Sequence, residues 1–223
     1  MYLTMYLKIT PEYKLPPKAI IVAHPLDIRL FLDKIHIKAK YNLPLSKLYI
    51  SEGFSLAGPC LGGPQIMLII EYLIAWGIKE IIFFGWCSGL QSKIKIGHII
   101  LPNAGIKEDN ILFKPDKFLF SKTIQALNRA SLTYYLGTVY STDNPYTETK
   151  NSLEKLREKN ILAMDMETAD FLKISNLKGI SANALLMVSD KLSRENWETG
   201  FTKPIFKASR KLAANILISK ILI

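Results

Sequence analysis

Short, almost uninterrupted apolar runs recur along the 223-residue chain, and each gives way to a polar or glycine-rich junction. Lys18–Ala23 runs into His24-Pro25, Lys79–Phe84 into Gly85–Gly89, Ile161–Met164 into Asp165–Glu167, and Ser181–Val188 into Ser189-Asp190. A strand that is apolar on both sides must be covered on both faces, so these runs predict the core of a sheet flanked by helices. Helical patterns fall between them: one opened by Pro25, Gln65–Trp76 closed by Gly77, Lys117–Leu132, the charged Glu148–Lys159, and Lys203–Leu222. Leu45–Ser51 and Phe54–Cys60 read as a hairpin turning at Glu52-Gly53, and His98–Pro102 and Tyr134–Ser141 as further strands. The expectation is α/β, a three-layer α/β/α architecture around a central mixed, largely parallel sheet, with residues 1–223 forming one domain preceded by an arm at 1–17.

Parallel strands bring their carboxyl ends to one edge of a sheet, where ligands bind in open α/β folds. The four junctions therefore define the candidate site. Asn160-Ile-Leu-Ala-Met-Asp-Met-Glu-Thr-Ala-Asp-Phe-Leu172 is the richest of them, with Asp165 and Glu167 between two methionines. A carboxylate there suits the two neighbouring hydroxyls of a ribose, and Met166 offers a soft surface to the sugar. Capping of the following helix is an equally good account of both acids. Asp190, at the end of an apolar run, is expected to be partly desolvated and able to exchange a proton near neutrality; capping the next segment is the alternative.

Composition removes several other classes. The net charge of +10 comes from 24 lysines and five arginines spread along the chain, a solvated surface rather than the Arg-rich, aromatic-interleaved stripe of a nucleic-acid reader. Its field still favours anions. Glu71 and Gly85 interrupt the greasiest stretches, so no membrane span is expected. Met1–Thr10 lacks the pattern of a secretion signal, and Cys60 and Cys87 show neither metal spacing nor a disulfide framework. A cytoplasmic protein without a metal or cofactor is expected. Neither GxGxxG nor a P-loop is present, and His36 and His98 lack nearby partners in the sequence.

From about Lys18 to Lys211 the chain resembles the nucleoside phosphorylase superfamily, which includes purine nucleoside, methylthioadenosine and uridine phosphorylases and related nucleosidases. The resemblance lies in Leu61-Gly-Gly-Pro64, in Ile81-Ile-Phe-Phe-Gly-Trp-Cys-Ser-Gly-Leu90 followed by Lys95-Ile-Gly-His-Ile-Ile-Leu-Pro102, in Tyr140-Ser-Thr-Asp-Asn-Pro-Tyr146, in Met164-Asp-Met-Glu-Thr-Ala169 and in Val188-Ser-Asp190. It implies an enzyme that cleaves the N-glycosidic bond of a purine-type nucleoside, by phosphorolysis to the base and ribose 1-phosphate. Glu167 and Met166 would hold ribose, Asp190 would protonate the purine N7, and Cys87, Ser88 and Tyr146 would lie by the base. Inorganic phosphate would be the co-substrate, and a dimer or hexamer of this chain the working assembly.

The departures from the family pattern concern phosphate. Its Gly-Asp-Pro loop and following Arg are replaced by Ala23-His24-Pro25-Leu26-Asp27, an Arg before the glycine loop by Phe83, and a small hydroxyl residue by Trp86. His24, Asp27, Arg29 and Trp86 are the candidates for an altered phosphate or water site. Asp27 lies about where the nucleosidase branch keeps its water-activating acid. Tyr6, Leu7 and Lys8 stand where the family places a His that reaches a neighbouring subunit. Hydrolysis, or nucleoside binding without turnover, therefore stays open beside phosphorolysis.

Overall fold

The structure is a computed structural model that describes residues 14–193 and 196–222, with the side chains of 220–222 left out; Tyr6, Leu7, Lys8 and most of the arm lie outside the described residues. Ten strands form one mixed sheet in the order β10-β9-β6-β7-β8-β5-β1-β4-β3-β2, and β9 also pairs with β5. They are β1 (Lys18–Val22), β2 (Ala39–Leu43), β3 (Ser46–Ile50), β4 (Ser55–Gly58), β5 (Glu80–Gly89), β6 (Ile99–Ile106), β7 (Tyr134–Ser141), β8 (Ala163–Asp165), β9 (Ser181–Leu192) and β10 (Trp197–Thr199). β1 lies parallel to β4 and β5, β5 to β9, and β7 to β6 and β8. The antiparallel pairs are β2–β3, β3–β4, β5–β8, β6–β9 and β9–β10. The second pairing of β9 bends β5 through β9 back on itself, so that β5, β8, β7, β6 and β9 form a closed ring.

Among the described residues six α-helices cover this sheet: α1 (Pro25–Leu32), α2 (Gly63–Ala75), α3 (Lys117–Arg129), α4 (Lys150–Glu158), α5 (Thr168–Lys178) and α6 (Pro204–Ile216). Strand alternation divides the core in two. Ala19 and Ile21, Ile81 and Phe83, and Ala184 and Leu186 face Ile66, Ile70 and Leu73 of α2 and Phe171 of α5. Ile20, Val22, Ile82, Phe84, Leu185 and Met187 face Phe31 of α1, Leu119 and Leu127 of α3 and Phe206 of α6. That is the three-layer arrangement, and it explains why these strands read as unbroken apolar runs. No helix among the described residues is long and apolar enough to cross a membrane.

Two sequence expectations change. Gly85–Gly89 is not a loop but the second half of β5: Ser88 and Gly89 pair with Met164 and Ala163 of β8, while β9 continues along the other edge past a bulge at Cys87/Ser88. Two short strands, β2 and β10, go unread because one is only half buried and the other is fully exposed.

Candidate functional site

At the carboxyl ends of the strands lies a cavity of about 640 Å³, lined by Ala23, His24, Cys60, Leu61, Trp86, Cys87, Ser88, Pro145, Tyr146, Met164, Asp165, Met166, Glu167, Ser189, Asp190, Leu192, Trp197 and Phe201. All four sequence junctions contribute, as expected from parallel strands ending on one edge.

The acids on the β8–α5 junction divide the two roles left open by the sequence. Asp165, at the end of β8, is the structural one. It accepts hydrogen bonds from Ser141 Oγ at 2.5 Å, from Thr168 Oγ1 at 2.5 Å and from the Thr168 backbone N–H at 3.1 Å, tying β7 and the start of α5 together. Glu167 makes no side-chain cap; it turns away from its own helix and accepts the Gly62 N–H at 2.6 Å. Gly62 has φ +81°, a left-handed conformation that favours glycine, so the turn before α2 can bring that N–H to the carboxylate. Glu167 is 5% exposed. Burial first, and the nearby Asp165 charge second, push its pKa up; burial also raises Asp165, against the pull of its hydrogen bonds.

Asp190 is inside β9 opposite Thr199 of β10, and so does not cap a segment. It is 4% exposed and accepts Ser88 Oγ–H at 2.6 Å and the Trp197 indole N–H at 2.7 Å on Oδ2, with Ser189 Oγ 2.5 Å from Oδ1. Ser88 thus serves Asp190 directly. Cys87 and Cys60 are buried in the wall, and burial followed by the neighbouring acids raises both thiols well above their ordinary range. They stay protonated and act as packing rather than as nucleophiles. Tyr146, on a 3₁₀ turn (Pro145–Thr147), stands 95% exposed at the cavity mouth.

The residues expected at an altered phosphate site separate. His24 and Trp86 line the cavity with rings stacked 3.8 Å apart at 13°. Asp27 is absent from the lining: it is fully buried behind Trp86, whose Nε1–H it accepts at 2.5 Å, while its other oxygen takes Arg210 Nε–H at 2.5 Å. Arg29 is exposed on α1 and does not reach the cavity. The Arg210 guanidinium lies over the Trp86 ring at 4.9 Å and the Phe206 ring at 5.2 Å, a cation–π stack sealed from the cavity. His24 Nδ1 accepts the Leu26 N–H at 3.2 Å, and burial, then the Arg210 charge, lowers its pKa, so the ring is neutral at pH 7. Among the described residues no Lys or Arg lines the cavity.

Arg210, Trp197 and Phe201 escape the sequence reading. Arg210 does leave a trace: Phe206, Arg210, Ala213, Ala214 and Leu217 follow a helical apolar stripe, and a charge on such a stripe calls for a buried partner. Trp197 leaves none, since its role depends on β10 folding back over β9.

A sequence profile described as the phosphorylase superfamily matches residues 18–222. A purine nucleoside phosphorylase of the DeoD type from Dichelobacter nodosus is 26% identical over 166 residues, covering 70% of each chain. Among solved structures, a 5′-methylthioadenosine/S-adenosyl homocysteine nucleosidase from Campylobacter jejuni superposes with a TM-score of 0.81 at 18% identity, covering 92% of this chain and 98% of its own. A purine nucleoside phosphorylase from Toxoplasma gondii, in complex with immucillin-H, gives 0.77 at 18% identity, covering 94% and 91%. At these identities the solved structures speak to the fold.

Proposed function

Since the chain belongs to the phosphorylase superfamily, we propose that it is an enzyme cleaving the N-glycosidic bond of a purine-type nucleoside, with water rather than phosphate as the nucleophile. The observation that carries this reading is the pairing of Glu167 and Asp190 on one cavity whose walls, among the described residues, hold no Lys or Arg. In this reading the ribose 2′- and 3′-hydroxyls donate to the Glu167 carboxylate, and Met166 lies against the sugar. Asp190 in its acid form delivers a proton to N7 as the C1′–N9 bond breaks, and the bond's electron pair leaves with the base. The positive charge that develops on the sugar is stabilised by the carboxylate that Asp190 becomes as it gives up its proton. Water then adds to C1′ and gives up a proton, which restores the acid form of Asp190, leaving free base and ribose.

Phosphorolysis needs a cationic or N–H-rich cradle for a dianion. The places where one was expected are occupied by a neutral His24, by Trp86, and by an Asp27–Arg210 pair whose charges already answer each other. The names of the relatives support both chemistries, phosphorylase and nucleosidase. Exposed Leu61, Tyr146 and Trp197 around the mouth support a homo-oligomer that shields the cavity.

The deciding experiment is base release from adenosine, inosine, guanosine, methylthioadenosine and uridine, with and without phosphate, beside an Asp190→Asn variant. Release from a purine nucleoside in phosphate-free buffer, yielding free ribose, is the expected result. Release that needs phosphate would overturn the choice of nucleophile; binding without release would leave a nucleoside-binding protein.

A further inference from the structure

The proposed reaction makes no use of Lys107, a largely buried cation close behind the site. It follows β6 directly, and its side chain is 21% exposed. Its Nζ donates to Asp143 Oδ2 at 2.6 Å and to Asp170 Oδ2 at 2.9 Å. Burial alone works against its charge; the two carboxylates outweigh burial and push its pKa above the ordinary lysine range.

The two partners belong to different parts of the site. Asp170 lies in the first turn of α5, three residues past Glu167, and its side chain is 8% exposed. Its carboxylate occupies the space where a Cβ on Gly63 would fall, only 1.9 Å from Oδ2, so only a glycine fits there. The Gly62-Gly63 turn is thereby held between Glu167 and Asp170. Asp143, 51% exposed, belongs to the segment between β7 and the 3₁₀ turn that carries Tyr146. At its start Thr142 N–H donates to the Asp165 carbonyl of β8; beyond that, Asn144 N–H donates to Thr142 Oγ1 and Thr147 N–H to the Asn144 carbonyl, bonds that shape the rest locally. The Lys107–Asp143 pair adds a side-chain tie to the body of the domain one residue nearer Tyr146.

We propose that Lys107 is a positioning residue for nucleoside binding: it joins the segment carrying Tyr146 to the first turn of α5, behind the ribose carboxylate, and holds Tyr146 at the cavity mouth, a role that rests on the cavity being a nucleoside site. Such a tether acts on capture of the substrate rather than on bond breaking, so it belongs in KM and not in kcat.

Asp143→Asn is the cleanest probe, because it releases the exposed arm and leaves the buried Lys107–Asp170 pair intact. The expected result is a KM raised about fivefold, the scale of a partly exposed ion pair, with kcat held within about twofold. Tyr146→Ala should raise KM similarly, and the double variant should be no worse than Tyr146→Ala alone, since both act through one ring. Lys107→Arg, which keeps a cation between the two acids, should retain the parent KM. An unchanged KM in Asp143→Asn, or effects that multiply in the double variant, would overturn the proposal. Amide hydrogen exchange of residues 142–147 provides a test independent of turnover: Asp143→Asn should speed it, and unaltered exchange would sink the tether even if no nucleoside is cleaved. Failure of the parent protein to release base from any nucleoside would instead count against the nucleoside reading.

Discussion

The two ends of the cavity are built from similar residue types and behave oppositely. At one end Glu167 and Asp190 are nearly buried, yet both line open space. At the other, Asp27 has one oxygen on Trp86 and the other on Arg210, Arg210 sits within 5.2 Å of two aromatic ring centres, and His24 spends Nδ1 on a backbone N–H. Asp190 is hydrogen-bonded by Ser88, Ser189 and Trp197 and still lines open space, whereas a charged pair closed off behind the wall is not on offer to a ligand, however close it lies in sequence or space. Counting acids and bases near a site says little. Which of them face the cavity is what decides.

Substitutions should therefore fall into two kinds, catalytic at the first end and structural at the second. Asp190→Asn keeps the shape and the Trp197 contact but removes an exchangeable acid, so kcat for base release should fall by about 10²–10⁴ while a nucleoside still binds, as isothermal titration would show. Arg210→Met leaves Asp27 buried without its cation; chemical denaturation should report a loss of about 3–5 kcal/mol, and Asp27→Asn in the same chain should restore much of it. Were Arg210→Met instead to keep its stability and lose only turnover, the second end would be catalytic after all. Trp86→Phe fills most of the space but leaves one Asp27 oxygen without its donor, costing about 1–3 kcal/mol in the same measurement without introducing phosphate dependence.

The subtlest effect is on pH dependence. Glu167 and Asp165 have pKa values raised in the folded state, chiefly by burial. The folded protein then holds protons to higher pH than the unfolded chain, so this contribution to stability is complete below the ordinary carboxylate range and is lost as pH rises through the folded values. Thermal midpoints should decline on going from mildly acidic to mildly alkaline buffer. Glu167→Gln should flatten that decline, whereas Arg29→Gln, on the exposed face of α1, should leave it as it is.

How much of this was legible in the sequence follows from which interactions are local. The strands buried on both faces announce themselves, because every residue from Ala19 to Val22 and from Ile81 to Phe84 must be apolar. Glu167 and Asp190 were found because each sits at the end of such a run. The division of labour between Asp165 and Glu167 was not legible: it depends on Ser141, 24 residues from Asp165, and on Gly62, 105 residues from Glu167. Gly85–Gly89 reads as a loop by composition and is a strand because β8 and β9 offer it hydrogen bonds on both edges. Trp86 reads as the replacement for a small hydroxyl residue at the phosphate site, but the Arg210 beside its ring goes unread, because the Asp27 that answers its charge lies 183 positions away.

The Asp27–Arg210 pair joins residues 183 positions apart, linking the first helix of the described fold to the last. A wall secured by so distant a contact cannot be assembled piecemeal: α1 can pack on β1 early, but Asp27 stays an unanswered charge until α6 has been made and docked. The wall behind Trp86 is therefore complete only once α6 has docked against α1.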